Sequence, residues 1–146
     1  MKSSEPVSKH PTSLSSVVPW TTSLAGLKAL AVRQPWAWLI VNGFKDIENR
    51  SRRTHHQGPL LIHASLSRDN YAENVQLVKR KHGISVPLEV ERGGIIGAID
   101  VIDCVESHKS KWFLRGNFGW VLANPRRLKF RPCKGALNLF RPEYES

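Results

Sequence analysis

The stretch from Ile95 to Val105, opened by Gly93-Gly94, is the longest β signal in this chain and constrains its fold most. Its run of β-branched residues reads as a strand, and Gly97 within it marks a bulge or a close backbone approach. Shorter strand signals surround it. Leu27–Val32 alternates, Lys45–Arg50 reads as a second strand, and Phe118–Ala123 and Gly135–Phe140 come last. Pro59–Ser65 reads as a buried strand, with Leu60, Ile62 and Ala64 on one face and Leu61, His63 and Ser65 on the other. Two helical patterns interrupt the series. Pro35 suits a helix start, and the apolar body Trp36–Val41 is ended by Asn42-Gly43. Asp69–His82 is amphipathic and is ended by Gly83. Without a repeating strand–helix–strand rhythm, a doubly wound sheet is excluded. The pattern predicts an α+β fold, a small mixed β-barrel of about five to six strands flanked by two or three helices.

A chain of 146 residues fits one domain with a real core. Residues 1–26 are rich in Ser, Thr and Pro and, Trp20 apart, poor in large apolar side chains. They read as a flexible leader able to dock through Val17–Trp20, with the folded domain over 27–146. The chain has 22 Lys+Arg against 12 Asp+Glu, a net charge of +10. Only Lys2, Lys9 and Glu5 fall in the leader, so nearly all of that excess belongs to the folded part. Such a surface favours a polyanion such as nucleic acid, although charge alone names no partner. Cys104 and Cys133 form no CxxC pair and no metal-ligand spacing, which favours a reducing, intracellular home. No apolar run reaches the roughly 18 residues of a membrane helix, and the leader lacks the apolar core of a secretory signal. A cytoplasmic protein without cofactor or metal is expected.

The charged octet Gly43-Phe44-Lys45-Asp46-Ile47-Glu48-Asn49-Arg50 is the first candidate site. On a strand Glu48 and Arg50 share a face, which leaves Lys45 on the opposite face or in the turn. Two cations beside a carboxylate can grip a phosphate, with Glu48 orienting them or moving protons. Equally, Arg50 can pair with Glu48 to brace the barrel mouth. Orientation suits Glu48 better than base catalysis, because two nearby cations lower a carboxylate's pKa. Arg33 and Gln34 precede the first helix and offer a cation and an amide able to read a base edge; Gln34 can instead cap the helix. Trp36 and Trp38 point about 200° apart, so one packs and one is free to stack on a base. His63, beside Ser65, can serve as an acid or base, but a hydrogen-bonded structural role is commoner. His55-His56, beside Arg52 and Arg53, lack further metal ligands. The run Lys79–His82 suits a helix C-terminus. Arg126, Arg127, Lys129, Arg131 and Lys134, interleaved with Phe130, form a strip able to follow a phosphate backbone.

Several blocks occur in a telling order: Arg33-Gln34-Pro35-Trp36-Ala37, then Gly43-x-Lys45-x-x-Glu48-x-Arg50, then Gly58-Pro-Leu-Leu-Ile-His63-Ala-Ser65. Gly97-Ala-Ile-Asp100-Val-Ile-Asp103-Cys104 follows, and Phe118-Gly-Trp120 to Lys134-Gly135 completes the series. This pattern, over about 27–142, resembles the ASCH (activating signal co-integrator homology) domain. The resemblance implies a PUA-like fold, a small β-barrel flanked by helices, with a cleft that the GxKxxExR segment lines. It implies binding of RNA or other nucleic acid, in transcription coactivation or RNA metabolism. Some family members are enzymes, hydrolysing N4-acylated cytidine or cleaving RNA. The amidohydrolase type uses a Lys, a Thr and a Glu. Lys45 matches that Lys, but Glu48 stands where the Thr would be, so the hydroxyl nucleophile is missing. Asp100 or Asp103 matches the distal Glu only loosely. The blocks are closer to the eukaryotic co-activator type.

The sequence therefore predicts RNA or single-stranded nucleic acid in a basic cleft, contacted by Arg33, Gln34, Trp36, Lys45, Glu48, Arg50, Arg53, Ser65 and Lys134. The alternatives are metal-independent ribonuclease action through Lys45, Glu48 and His63, amidohydrolysis of an acylated cytidine, and a protein-interaction module.

Overall fold

The computed structural model describes residues 17–144; the Ser/Thr/Pro-rich segment before Val17 lies outside them. The chain runs β1 (Val17–Val18), α1 (Thr22–Ala25), β2 (Ala29–Val32), α2 (Trp36–Val41), β3 (Ile47–Arg50) and β4 (Gly58–Ala64). It continues through α3 (Tyr71–His82), β5 (Gly94–Val105), β6 (Phe118–Pro132) and β7 (Leu139–Phe140). The class is α+β, consistent with a small PUA-like fold.

Seven strands among the described residues form one mixed sheet in the order β1-β6-β5-β4-β2-β7, with β3 also on β6, and this sheet is not closed into the small mixed barrel of five or six strands expected from the sequence. Among the described residues no ladder joins β3 to β2 or β7. The sequence marked β2 to β7 but not their ends, and it did not mark β1, which lies in the segment read as a leader able to dock through Val17–Trp20. Lys45 and Asp46 belong to the turn before β3, the last strand shrinks to Leu139–Phe140, and β6 runs on past Ala123 to Pro132. That extension leaves β6 long enough to pair β3 at Phe118–Val121 and β1 at Arg127–Leu128 on one edge, and β5 on the other. The Ala31 carbonyl, one residue beyond the short β7 ladder on β2, accepts instead from Arg50 of β3 (2.9 Å). A side chain thus spans the gap that a strand ladder would close.

Gly97 performs both tasks open to it. The β5 register shifts between Ile95 and Gly97. A Cβ at Gly97 would stand 2.4 Å from the Arg126 carbonyl oxygen and 2.6 Å from Val41 Cγ1. Helix α2 therefore packs directly on the bare backbone of β5. Its buried residues Ala37, Ile40 and Val41 join Leu30, Leu60, Ile62 and Ile99 in the main core. Alternation along β4 sends Leu61 to the opposite face, with Ala29, Ile95, Leu128 and Cys133. Residues 17–27 cover that second face through Val18, Trp20, Leu24 and Leu27. Trp20 donates its indole N–H to the Lys129 carbonyl (2.8 Å), and Arg131 stacks on both Trp20 and Tyr144.

Helix α3 ends at Gly83, whose φ of +70° only glycine adopts readily and whose N–H returns to the Lys79 carbonyl. Its one buried residue, Val78, packs with Leu39, Ile47, Ile84, Val86 and Trp112. This third cluster holds α3 beside β3, and so fixes one wall of the site.

Candidate functional site

The octet begins where α2 stops. Gly43 takes a φ of +83°, and the Leu39 carbonyl accepts from the N–H groups of both Phe44 and Lys45. The chain thus turns back before entering β3, and Lys45 occupies the turn. From there its ammonium reaches the Ile47 carbonyl and Glu48 Oε1 (3.1 Å), while Arg50 Nε meets Glu48 Oε2 (2.9 Å). Both carboxylate oxygens are taken by cations. Lys45 is 6% and Glu48 8% exposed. Burial of this kind requires pairing, because an isolated charge would lose its hydration uncompensated. Arg50 is half-buried and has two anchors, Glu48 and the Ala31 carbonyl. Lys45 is consequently the charge that holds Glu48, and Arg50 is the octet's cation nearest to solvent.

Two hollows meet at this clamp, both lined by Trp36, Glu48 and Asn49. One, of about 680 Å³, adds Arg33, Arg50, Ser51, Asn74 and Leu137. The other, of about 330 Å³, adds Lys45, Lys81, His82, Lys111, Trp112 and Leu114. Residues 74, 77, 78, 81 and 82 of α3 line the pair in turn, one helical stripe about 12 Å long at 1.5 Å per residue. The two hollows share Trp36, Glu48 and Asn49 and both have α3 as a wall, and together they make the candidate cleft. Its cations Arg33, Lys81 and Lys111 have no carboxylate partner among the described residues.

Of the residues the sequence singled out, Arg33, Trp36, Lys45, Glu48 and Arg50 line the cleft. Gln34 does not. It is 2% exposed, accepts from the Trp38 N–H (2.8 Å) and donates to the Glu91 carbonyl (2.9 Å), which makes it the helix cap. Trp38 stacks on Phe44, so of the two tryptophans Trp36 faces the cleft. Arg53 bridges Glu106 (2.9 Å) and lies over the Phe118 ring. His63 is buried on the second face of the sheet, its Nε2–H donating to the Cys133 carbonyl (2.8 Å) and its ring edge on Phe140. Ser65 follows β4, its N–H on the Val32 carbonyl. Lys134 is exposed in the loop after β6. Asp100 pairs with Arg126. No group of three or more His, Cys, Asp or Glu residues able to hold a metal occurs among the described residues.

The sequence reading missed the far wall. Asn49 donates its amide to the Trp112 carbonyl and accepts from the Leu114 N–H (both 2.9 Å), pinning the loop that carries Lys111, Trp112 and Leu114. No local pattern announces a contact over more than sixty residues. Lys81 and His82 were legible only as helix-end cations, although the sequence spacing already places them on one helical stripe with Asn74 and Val78. The His82 ring stacks on Trp112 at 3.9 Å between centroids. Burial, and then the charges of Lys111 and Lys81, hold its pKa below the usual 6.5.

A family model described as the ASCH domain matches residues 30–132. The chain is 36% identical over 119 residues to activating signal cointegrator 1 of Mus musculus, covering 73% of this chain and 20% of that protein. It is 34% identical over 87 residues to the Homo sapiens protein of the same name, covering 56% and 15%. The chain thus spans a fifth or less of the length of these relatives. The clamp and Trp36 lie inside the matched region, and this chain belongs to the ASCH domain family.

Proposed function

We propose that this domain binds single-stranded nucleic acid, RNA foremost, in the cleft along α3. Arg33 and Arg50 contact phosphate on one side of Trp36, Lys81 and Lys111 on the other, and Trp36 stacks on a base. The observation that carries this reading is the lining itself: a partly buried tryptophan among cations that lack carboxylate partners. Aromatic faces and basic grooves together suit unpaired strands. Lys45 and Glu48 act as the internal brace of Arg50. The relatives' name, activating signal cointegrator 1, supports a place in transcription regulation, and family membership supports one in RNA metabolism.

Fluorescence anisotropy with a labelled single-stranded RNA, over a salt series, tests the proposal. Arg33→Ala, Lys81→Ala and Lys111→Ala remove exposed side chains and should leave the fold intact. Each should weaken binding and flatten the salt slope by about 0.7 per lost phosphate contact. Unchanged affinity and slope in the triple variant would defeat the reading.

RNA cleavage has one observation in its favour. His82 lines the cleft with its pKa held below the usual 6.5. Its imidazole can take the 2′-hydroxyl proton as the 2′-oxygen attacks phosphorus, the cations steadying the phosphorane and the imidazolium or water returning a proton to the leaving 5′-oxygen. Cleavage in EDTA that disappears in His82→Gln supports it; intact RNA after long incubation rules it out.

A further inference from the structure

Two strongly exposed leucines stand at the cleft, one on either side of Trp36. Leu137 is 89% exposed and lines the hollow of Arg33 and Arg50; Leu114 is 59% exposed and lines that of Lys81 and Lys111. Single exposed leucines are ordinary on protein surfaces. These two differ in being held out by tethered backbone. The Leu114 N–H is fixed to Asn49 Oδ1 (2.9 Å), and its carbonyl accepts from the Asn117 N–H (3.3 Å). The loop carrying Leu137 is pinned at Cys133, whose N–H meets the Gly93 carbonyl and whose own carbonyl takes His63. A Cβ on Gly135 would lie 2.9 Å from the His63 ring, so the loop packs tightly there. Asn138, in the left-handed region at φ +60°, then turns the chain into β7.

We infer that Leu137, aided by Leu114, is a wedge that parts stacked bases of the bound strand, so that one base is freed to stack on Trp36. The inference rests on the nucleic-acid reading above. An apolar side chain presented beside phosphate-binding cations has the chemistry of an intercalating residue: it gains burial between bases, while Arg33 and Arg50 hold the flanking backbone. The occupant is a nucleic-acid strand, because the rim beside both leucines is cationic. An acidic peptide would match the charge but offers no stack to enter.

The test uses the full chain and a single-stranded RNA carrying 2-aminopurine between purines, whose fluorescence rises when the base unstacks. With the probe moved one position at a time along the strand, wild type should raise the signal on binding where the 2-aminopurine is left against Leu137, and keep it quenched where the probe is the base that stacks on Trp36. Leu137→Ala should lose most of that rise and bind about fivefold to tenfold more weakly, with the salt slope unchanged because no phosphate contact is removed. Leu88→Ala, at a 91% exposed leucine outside the cleft lining, should behave as wild type. Binding without a base signal, or a signal equal in Leu137→Ala, overturns the wedge while leaving the binding reading in place. No binding by wild type at low salt overturns both.

Discussion

Replacing Glu48 by Ala tests whether the octet is a braced clamp or a set of independent contacts. The carboxylate neutralises Lys45 at 3.1 Å and Arg50 at 2.9 Å in a site where Lys45 is 6% exposed. Removing one partner of a buried pair costs about 3–5 kcal/mol, because the other charge stays buried without compensation. Lys45 keeps the Ile47 carbonyl, and Arg50 keeps the Ala31 carbonyl and some solvent. Those residual partners place the loss at the low end, about 3 kcal/mol. For a domain of this size that corresponds to a fall in Tm of about 10 °C. Urea titration followed by circular dichroism should show a lower midpoint at an unchanged m-value. A double-mutant cycle isolates the pair: Lys45→Met combined with Glu48→Gln should destabilise by at least about 1 kcal/mol less than the two single losses summed. Strict additivity, or a Tm shift under about 2 °C in Glu48→Ala, would refute the clamp.

Other perturbations probe separate parts of the molecule. Gly97→Ala drives a methyl into the Arg126 carbonyl and Val41, and should destabilise by about 1–3 kcal/mol in the same urea assay, more if α2 cannot shift. Trp20→Ala removes the indole bond to Lys129 and the Arg131 stack, so amide hydrogen exchange should rise along the outer edge of β6 at Arg127 and Leu128. His82 has a folded pKa below its ordinary 6.5, so the unfolded chain takes up the proton first. Its stabilisation is fully present above about pH 6.5 and declines as the pH falls through that value towards the folded pKa; His82→Gln should flatten this part of the stability profile. In the binding assay the sign reverses: acidification adds a cation to the cleft, so RNA affinity should rise as the pH falls, and not do so in His82→Gln.

Much of the fold was legible because its signals are local. The alternation in Pro59–Ser65, the apolar body of α2 and the glycine after His82 each act within a few residues, and each element is where the sequence put it. The ends were harder. Extension of β6 to Pro132 depends on β5 and β1 offering partners, and Asn124-Pro125-Arg126-Arg127 reads locally as turn and charge. The site divides along the same line. Glu48 and Arg50 met as strand period requires, whereas the wall of Lys111, Trp112 and Leu114 is held by Asn49 across a separation no window spans. Gln34 carried no sign of which of its two tasks it would take; the choice falls to Glu91, which supplies a carbonyl for its amide.

The open seam in the sheet explains why the octet has its awkward spacing. A barrel closed by backbone would place a ladder between β3 and β2 and leave no cleft mouth there. Here the Arg50 guanidinium spans that gap to the Ala31 carbonyl, and a guanidinium so placed must be oriented by a rigid anion. Glu48, two residues back on the same face, meets that need, but a buried carboxylate with one half-exposed partner would remain undercompensated. A second cation must then approach from inside. The strand period denies it to β3 itself, so it comes from the turn, three residues before Glu48, where Gly43 has already bent the chain. Lys45, Glu48 and Arg50 are therefore one device with an inner and an outer end. Conservative exchange at the two ends should have unequal effects. Lys45→Arg must fit a larger, planar group into a buried site and should lower stability, while Arg50→Lys fits easily but gives up one of two directed bonds and should lower RNA affinity more than stability.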